Sequence, residues 1–234
     1  MYRALDITPP FFEVGPKAYA FGEAVVDLAR HADELSRTYG VQIVLTPQYT
    51  DIPLVAAAVE RVLVFAQHMD PLVPGRGVGS VLPEALRAAG ARGVLLNHVE
   101  RRLSRTDLAR AMRRADEVGL ATMVCADDLK DALQIAELGP NVIIVEAPDL
   151  IGAGGGRNGG GSPIDQINQA IWDVNPEIRI LHAAGIGSAQ DVYDVIAAGA
   201  QGTGSSSAIF TAADPLAMLG DMVRAVREAW DSRH

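Results

Sequence analysis

Val142-Ile143-Ile144-Val145-Glu146 is a run of four β-branched residues closed by a carboxylate. A run that is apolar at every position suits a strand buried on both faces, where the alternation of apolar and polar side chains disappears. The same pattern recurs outward from it. Upstream lie Ala121-Thr122-Met123-Val124-Cys125, Gly93-Val94-Leu95-Leu96-Asn97, Val62-Leu63-Val64-Phe65-Ala66, Val41-Gln42-Ile43-Val44-Leu45 and Phe11-Phe12-Glu13-Val14-Gly15. Downstream lie Arg179-Ile180-Leu181-His182-Ala183 and the less apolar Gly202-Thr203-Gly204-Ser205-Ser206. Ala-rich amphipathic stretches at 20–39, 103–119, 188–199 and 213–231 read as helices between strands, and Ser104 and Ser188 are each followed three residues later by aspartate, as helix N-termini require. Strictly alternating strands and helices build parallel sheets through right-handed crossovers. Eight such units in 234 residues predict one domain, 1–234, folded as a closed (β/α)8 barrel. An open, doubly wound sheet would carry a G-x-G-x-x-G turn after its first strand, and Glu13-Val14-Gly15-Pro16-Lys17 is not one.

Composition narrows the function classes. Half the chain is apolar (49%) and 21% is charged, as in ordinary globular proteins. A formal charge of -9 gives no overall positive field for nucleic acid or an anionic membrane surface. No stretch approaches the ~20 apolar residues of a membrane span, and the start lacks the order of a secretory signal. Cys125, the single cysteine, can form neither an internal disulfide nor a thiolate cluster. These features predict a soluble cytoplasmic protein. Lysine is rare, with Lys17 and Lys130 against eighteen arginines, so each lysine invites a specific question.

In a barrel of this kind the active site is assembled at the C-terminal ends of the strands and in the loops after them. That rule selects Lys17 after strand one, His68 after strand three, Asn97, His98 and Glu100 after strand four, and Glu146 at the end of strand six. Glu146 closes an apolar run and must face the barrel mouth, because a carboxylate inside a packed core would need a partner; there it is a candidate general base. His98 precedes the helix at 103–119, near a helix start that disfavours its protonation, and a neutral imidazole can donate to a carbonyl oxygen. Lys17 is a cation able to stabilise charge developing on a bound oxygen. Strands seven and eight run into Ala184-Gly185-Ile186-Gly187-Ser188 and Gly204-Ser205-Ser206-Ser207, small segments rich in free N–H groups and suited to a phosphate. His31, His182 and His234 read as structural. No metal-ligand spacing and no P-loop is present, so no cofactor or metal is called for.

Lys17, His98, Glu146 and the glycine-rich segment after strand six together resemble the triosephosphate isomerase family, specifically its short archaeal-type branch. The resemblance runs nearly end to end. It is carried by Ala66-Gln67-His68-Met69-Asp70-Pro71, Val81-Leu82-Pro83-Glu84-Ala85, Leu95-Leu96-Asn97-His98-Val99-Glu100-Arg101-Arg102, Ala115-Asp116-Glu117-Val118-Gly119-Leu120 and Val145-Glu146-Ala147-Pro148-Asp149-Leu150-Ile151-Gly152-Ala153-Gly154. It implies a TIM barrel in which Glu146 moves a proton between adjacent carbons of a phosphorylated hydroxy-ketone and His98 polarises the carbonyl. Lys17 would stabilise the enediolate, with Glu100 holding charge and geometry behind it. The substrate phosphate would lie on Gly152 and Gly154, on Gly185, Gly187 and Ser188, and on Gly204 and Ser205. A homodimer or homotetramer, built partly from the loop after strand three, is implied as well.

The sequence departs from the family pattern in its surroundings. The usual Asn-x-Lys after strand one is Gly15-Pro16-Lys17, the serine after the catalytic histidine is Val99, and a common Thr-Gly after strand three is Val78-Gly79. The segment after strand six carries Gly154-Gly155-Gly156-Arg157-Asn158-Gly159-Gly160-Gly161, which raises the entropy cost of ordering it as a lid. The expected reaction is cofactor-free aldose-ketose isomerisation of a small phosphosugar, dihydroxyacetone phosphate first. A tetrulose phosphate isomerase of the same family and a non-catalytic barrel that binds phosphate ligands are the alternatives.

Overall fold

Ser104, Asp128, Ser162 and Ser188 each precede by three residues an aspartate whose backbone N–H they accept, and each opens a helix. The short side-chain oxygen satisfies an orphan donor of the first turn, and the aspartate adds negative charge where the helix dipole favours it. At the other end, Gly40 and Gly119 close their helices in the left-handed conformation. A computed structural model describes residues 1–146, 162–183 and 185–233. Its strands are β1 Phe11–Val14, β2 Gln42–Leu45, β3 Leu63–Ala66, β4 Gly93–Leu96, β5 Ala121–Ala126, β6 Val142–Val145, β7 Arg179–His182 and β8 Gly202–Ser205. The described helices are α1 Glu23–Tyr39, α2 Ile52–Ala58, α3 Pro83–Ala88, α4 Arg105–Val118, α5 Leu129–Ala136, α6 Pro163–Val174, α7 Ala189–Ala197, the single turn α8 Ser207–Phe210, and α9 Pro215–Asp231. All strand pairs are parallel and β8 pairs with β1, closing the barrel in sequence order.

Two apolar clusters explain why the strand runs show no alternation. Phe11, Val44, Phe65, Leu95, Met123, Ile144 and Leu181 belong to the inner cluster of the barrel. Phe12, Ile43, Val64, Leu96, Val124, Ile143 and Val145 belong to the larger one shared with the helices. Each fully buried side chain of this size stabilises the fold by roughly 1.5–3 kcal/mol. Period-two alternation then has a positional consequence on β6. Val142 and Ile144 face inward, so the next inward residue is Glu146, just beyond the strand at the barrel mouth. Among the described residues, no helix is long and apolar enough to cross a membrane.

One polar anchor ties a helix to the barrel. Asp33 of α1 is 5% exposed and one of its oxygens accepts the backbone N–H groups of Glu60, Arg61 and Val62 at 3.0, 2.7 and 3.0 Å, where the chain enters β3. Burial opposes its ionisation, but the three N–H donors, with Arg37 beyond them, outweigh it and hold its pKa below the usual value. A depressed folded pKa contributes stability that is complete above the unfolded value of about 4 and is lost as pH falls through the folded one. At pH 7 the Asp33→Ala protein therefore loses about 1–3 kcal/mol, because three backbone donors, the buried Val62 N–H among them, lose their acceptor. Urea unfolding measures this, and a loss below about 0.5 kcal/mol would contradict it.

Candidate active site

The C-terminal ends of the strands surround a cavity lined by Glu13, Gly15 and Lys17 from β1 and its loop, Thr46 and Gln48 after β2, and Gln67 after β3. His98, Val99 and Glu100 enter after β4, Glu146 after β6, Gly185 after β7, and Gly204, Ser205 and Ser206 from β8 and its end. Lys17, His98, Glu100 and Glu146, selected by strand-end position, meet here from three units of the barrel.

His98 approaches Glu146 with 4.0 Å between Nε2 and Oε1. The backbone N–H of Glu100 donates to His98 Nδ1 at 3.1 Å, so in the neutral ring Nδ1 is the acceptor and Nε2 carries the proton. The proton thus faces the side of the ring that meets Glu146. Burial, and next the nearby Lys17 cation, hold the imidazole pKa below its usual value, against the opposing pull of Glu146 and Glu100. A helix start at His98 is not the cause, since α4 begins at Arg105 and is capped by Ser104. The ring is therefore neutral at neutral pH and serves as a donor.

The chain reaches His98 through Asn97, which adopts the left-handed conformation at φ 60°. Its side chain donates to the Cys125 carbonyl at 3.0 Å and accepts from the Leu103 N–H at 3.2 Å, while Arg102 donates to its backbone oxygen. Asn97 shapes the loop that presents His98. Cys125 on β5 is itself buried, its thiol within hydrogen-bonding reach of Glu146. Desolvation first, then the negative charges of Glu146 and Glu13, push its pKa far up, so it stays a thiol.

Lys17 is also left-handed, at φ 48°, an uncommon conformation for a residue with a side chain. Two amides fix it there: Gln48 and Gln67 both donate to the Lys17 carbonyl, and Gln67 donates to the Thr46 carbonyl as well, at 2.9 Å. With its backbone so held, Lys17 extends Nζ to 2.7 Å from Glu100 Oε1, and this hydrogen bond lowers the Glu100 pKa. Both partners stay partly exposed, so the pair orients the ammonium more than it stabilises the fold.

The residues assigned to phosphate divide. Gly185, Gly204 and Ser205 line the cavity. The Ser205 hydroxyl donates to the Ile186 carbonyl at 3.1 Å, fastening the β8 end to the loop after β7. Gly187 and Ser188 are not among the cavity-lining residues. Asp191 accepts the Gly187 N–H at 3.0 Å and the Ser188 hydroxyl at 2.8 Å, and the Ser188 oxygen caps α7. Gly152 and Gly154 lie outside the described residues. His68 pairs with Asp70 at 3.3 Å away from the cavity, and His182 is buried against Asn168 at 2.9 Å. No cluster of three or more potential metal ligands occurs among the described residues.

Glu13, Thr46, Gln48 and Gln67 are among the cavity residues that escaped the sequence reading. Thr46 and Gln67 directly follow β2 and β3, so the strand-end rule that selected Lys17 could have found them. Glu13 is the charged residue in an apolar run, two positions after the inward-facing Phe11, and the argument that turned Glu146 toward the mouth applies to it equally.

Comparison with known proteins bears on the fold and the family. The solved triosephosphate isomerase structure from Bartonella henselae superposes with a TM-score of 0.74 over 94% of this chain and 99% of that one, at 16% identity, and so shares its fold. The triosephosphate isomerase of Methanobacterium bryantii is 36% identical over 86% of this chain and 89% of its own length. That of Sulfolobus acidocaldarius is 32% identical over 96% and 98%. The family model for triosephosphate isomerase matches residues 16–225, a span that holds Lys17, His98, Glu100 and Glu146, and the chain belongs to that family.

Proposed function

We propose that this protein interconverts dihydroxyacetone phosphate and glyceraldehyde 3-phosphate without a cofactor. The observation that carries the reading is the approach of a neutral His98, with its proton on Nε2, to Glu146 beside the Lys17 cation in one cavity. The Glu146 carboxylate takes a proton from the hydroxyl-bearing carbon of the ketose. The C–H electron pair becomes the enediol double bond, and the carbonyl oxygen takes up the negative charge. Lys17 and the His98 Nε2–H stabilise that oxygen. Glu146 returns the proton to the adjacent carbon while the hydroxyl proton passes between the two oxygens, so the reaction neither consumes nor releases a proton and needs no redox partner. Backbone N–H groups near Gly185, Gly204 and Ser205 hold the phosphate, and the family pattern adds Gly152 and Gly154; it also names Gly187 and Ser188, whose donors Asp191 engages here. Hydrogen exchange followed by NMR in D₂O, on dihydroxyacetone phosphate and then on a tetrulose phosphate, tests the reading. Exchange and isomer formation on the triose support it, exchange confined to the longer sugar moves the substrate, and binding without exchange on either overturns the enzyme.

The same reading places the protein in the cytoplasm, which the single, buried, free Cys125 supports, and makes it a homodimer or homotetramer. Support for assembly comes from the loop after β3, where Val73 is 61% exposed and Val78 fully so. Light scattering at micromolar concentration should return at least twice the chain mass, and a monomer would contradict it.

A further inference from the structure

The mechanism leaves one carboxyl of the cavity without a task among the described residues. Glu13 lies on β1 level with Gly204 of β8 and Val44 of β2, half-buried, and lines the cavity. Its placement is specific. A Cβ on Gly15 would come within 3.1 Å of Glu13 Oε1, and one on Gly204 within 2.9 Å of Oε2 and of the Glu13 backbone oxygen. Neither glycine has a left-handed backbone, so what the two positions supply is room. At Gly15 the carboxyl occupies the space that the first atom of a longer side chain would need. Thr46 Oγ1 lies 3.0 Å from Oε1 and 3.4 Å from the Val14 carbonyl. That hydroxyl suits either protonation state, since it can donate to a carboxylate, or accept from the acid while turning its own proton to Val14. Among the described residues, Oε2 has no hydrogen-bond partner.

The charged and titratable groups facing Glu13 are Lys17 from its own loop, Glu146 after β6 and the Cys125 thiol from β5. Burial raises the Glu13 pKa to about 7, against the pull of the Thr46 hydrogen bond and of Lys17 and with a further push from Glu146. Near neutral pH the group therefore exchanges between an acid, which can donate, and a carboxylate, which cannot.

We propose that Glu13 is a substrate-contacting residue of this site: its acid form, steadied by Thr46 between Gly15 and Gly204, donates from the open oxygen to the substrate oxygen that gains charge beside Lys17. This rests on the isomerase reading above. In the ionised form the same oxygen sets a second negative charge beside an enediolate and a phosphate, which lowers transition-state stabilisation. Activity therefore declines as pH rises through the Glu13 pKa.

The decisive comparison is the pH profile of kcat/KM for the parent, Glu13→Gln and Glu13→Leu from pH 6 to pH 8.5, on dihydroxyacetone phosphate. The Gln amide keeps a donor, though a poorer one, and cannot ionise. It lowers kcat/KM at pH 6 by about tenfold and flattens the alkaline decline, so that the parent's loss between the two pH values exceeds the variant's by about tenfold. Ionisation of the substrate phosphate is common to both proteins and cancels. Glu13→Leu has no donor and loses about 10²-fold at pH 6. Thermal melts identify any variant that fails to fold, and if the Leu protein is lost the Gln profile decides alone. An active parent whose profile Glu13→Gln reproduces overturns the role of Glu13 and leaves the isomerase standing. A parent inactive at every pH overturns both.

Discussion

The Glu146→Gln protein should exchange the carbon-bound proton of dihydroxyacetone phosphate about 10²–10⁴-fold more slowly than the parent, the range that a positioned general base contributes. The amide has the shape of the carboxylate and leaves no cavity, so the cost falls on chemistry. It lacks a basic oxygen at a position chosen by the barrel: Ile144 faces inward, and the next inward side chain is residue 146. Among its described neighbours, His98 and the Cys125 thiol are uncharged and offer no replacement base, since Cys125 is held as a thiol and the His98 Nδ1 lone pair is committed to the Glu100 N–H. The phosphate contacts at Gly185, Gly204 and Ser205 come from other strands, so the KM should change far less than kcat, the signature of an interaction made in the transition state. NMR exchange in D₂O measures the rate directly. Turnover within a few fold of the parent would remove Glu146 from the mechanism.

The barrel is legible because its strands are short and buried on both sides, so apolar runs mark them and Ser-x-x-Asp signatures mark the helix starts between. Glu146 is legible for a related reason: a charge that ends an apolar run has only the mouth to face. Partnership across the barrel leaves no such trace. Gln48 and Gln67 act on the Lys17 carbonyl from 31 and 50 residues away, and no local period connects them. The His98 tautomer depends on one backbone N–H, and its pKa on burial by other strands and on Lys17. Glycine-rich composition after β7 pointed to an anion site, yet at Gly187 and Ser188 the donors are engaged by Asp191, a carboxylate of the same chain occupying the place of a ligand group. Composition identifies free N–H groups; only coordinates show which remain free. Glu13 passed as part of a strand because one charge among apolar neighbours reads as noise until the inward face is known.

Lys17→Ala should cost kcat/KM about 10²–10³-fold, comparable to removing one strong donor from an oxyanion site, and its effects should reach beyond its own contact. The ammonium acts on three titrating groups of the cavity. It lowers the pKa of His98, of Glu13 and of Glu100, so its removal lets all three rise. For His98 the consequence has a definite sign. A ring with a higher pKa remains imidazolium to higher pH, and imidazolium beside Glu146 pairs with the base and quenches it. The variant therefore loses its remaining activity on the acid side at a higher pH than the parent does. Glu13, also raised, keeps its proton longer, so the alkaline decline moves upward as well. The whole profile shifts in one direction because one positive charge has been removed from the cavity. A pH-rate profile of kcat/KM reads both limbs in the same experiment. Loss of activity with both limbs unmoved would leave Lys17 as a direct contact only, and a variant within threefold of the parent in kcat and KM would return it to the protein surface. The left-handed backbone at residue 17, held by Gln48 and Gln67, argues against that last result: two half-buried amides fixing one carbonyl serve to aim a side chain, and the side chain aimed is this ammonium.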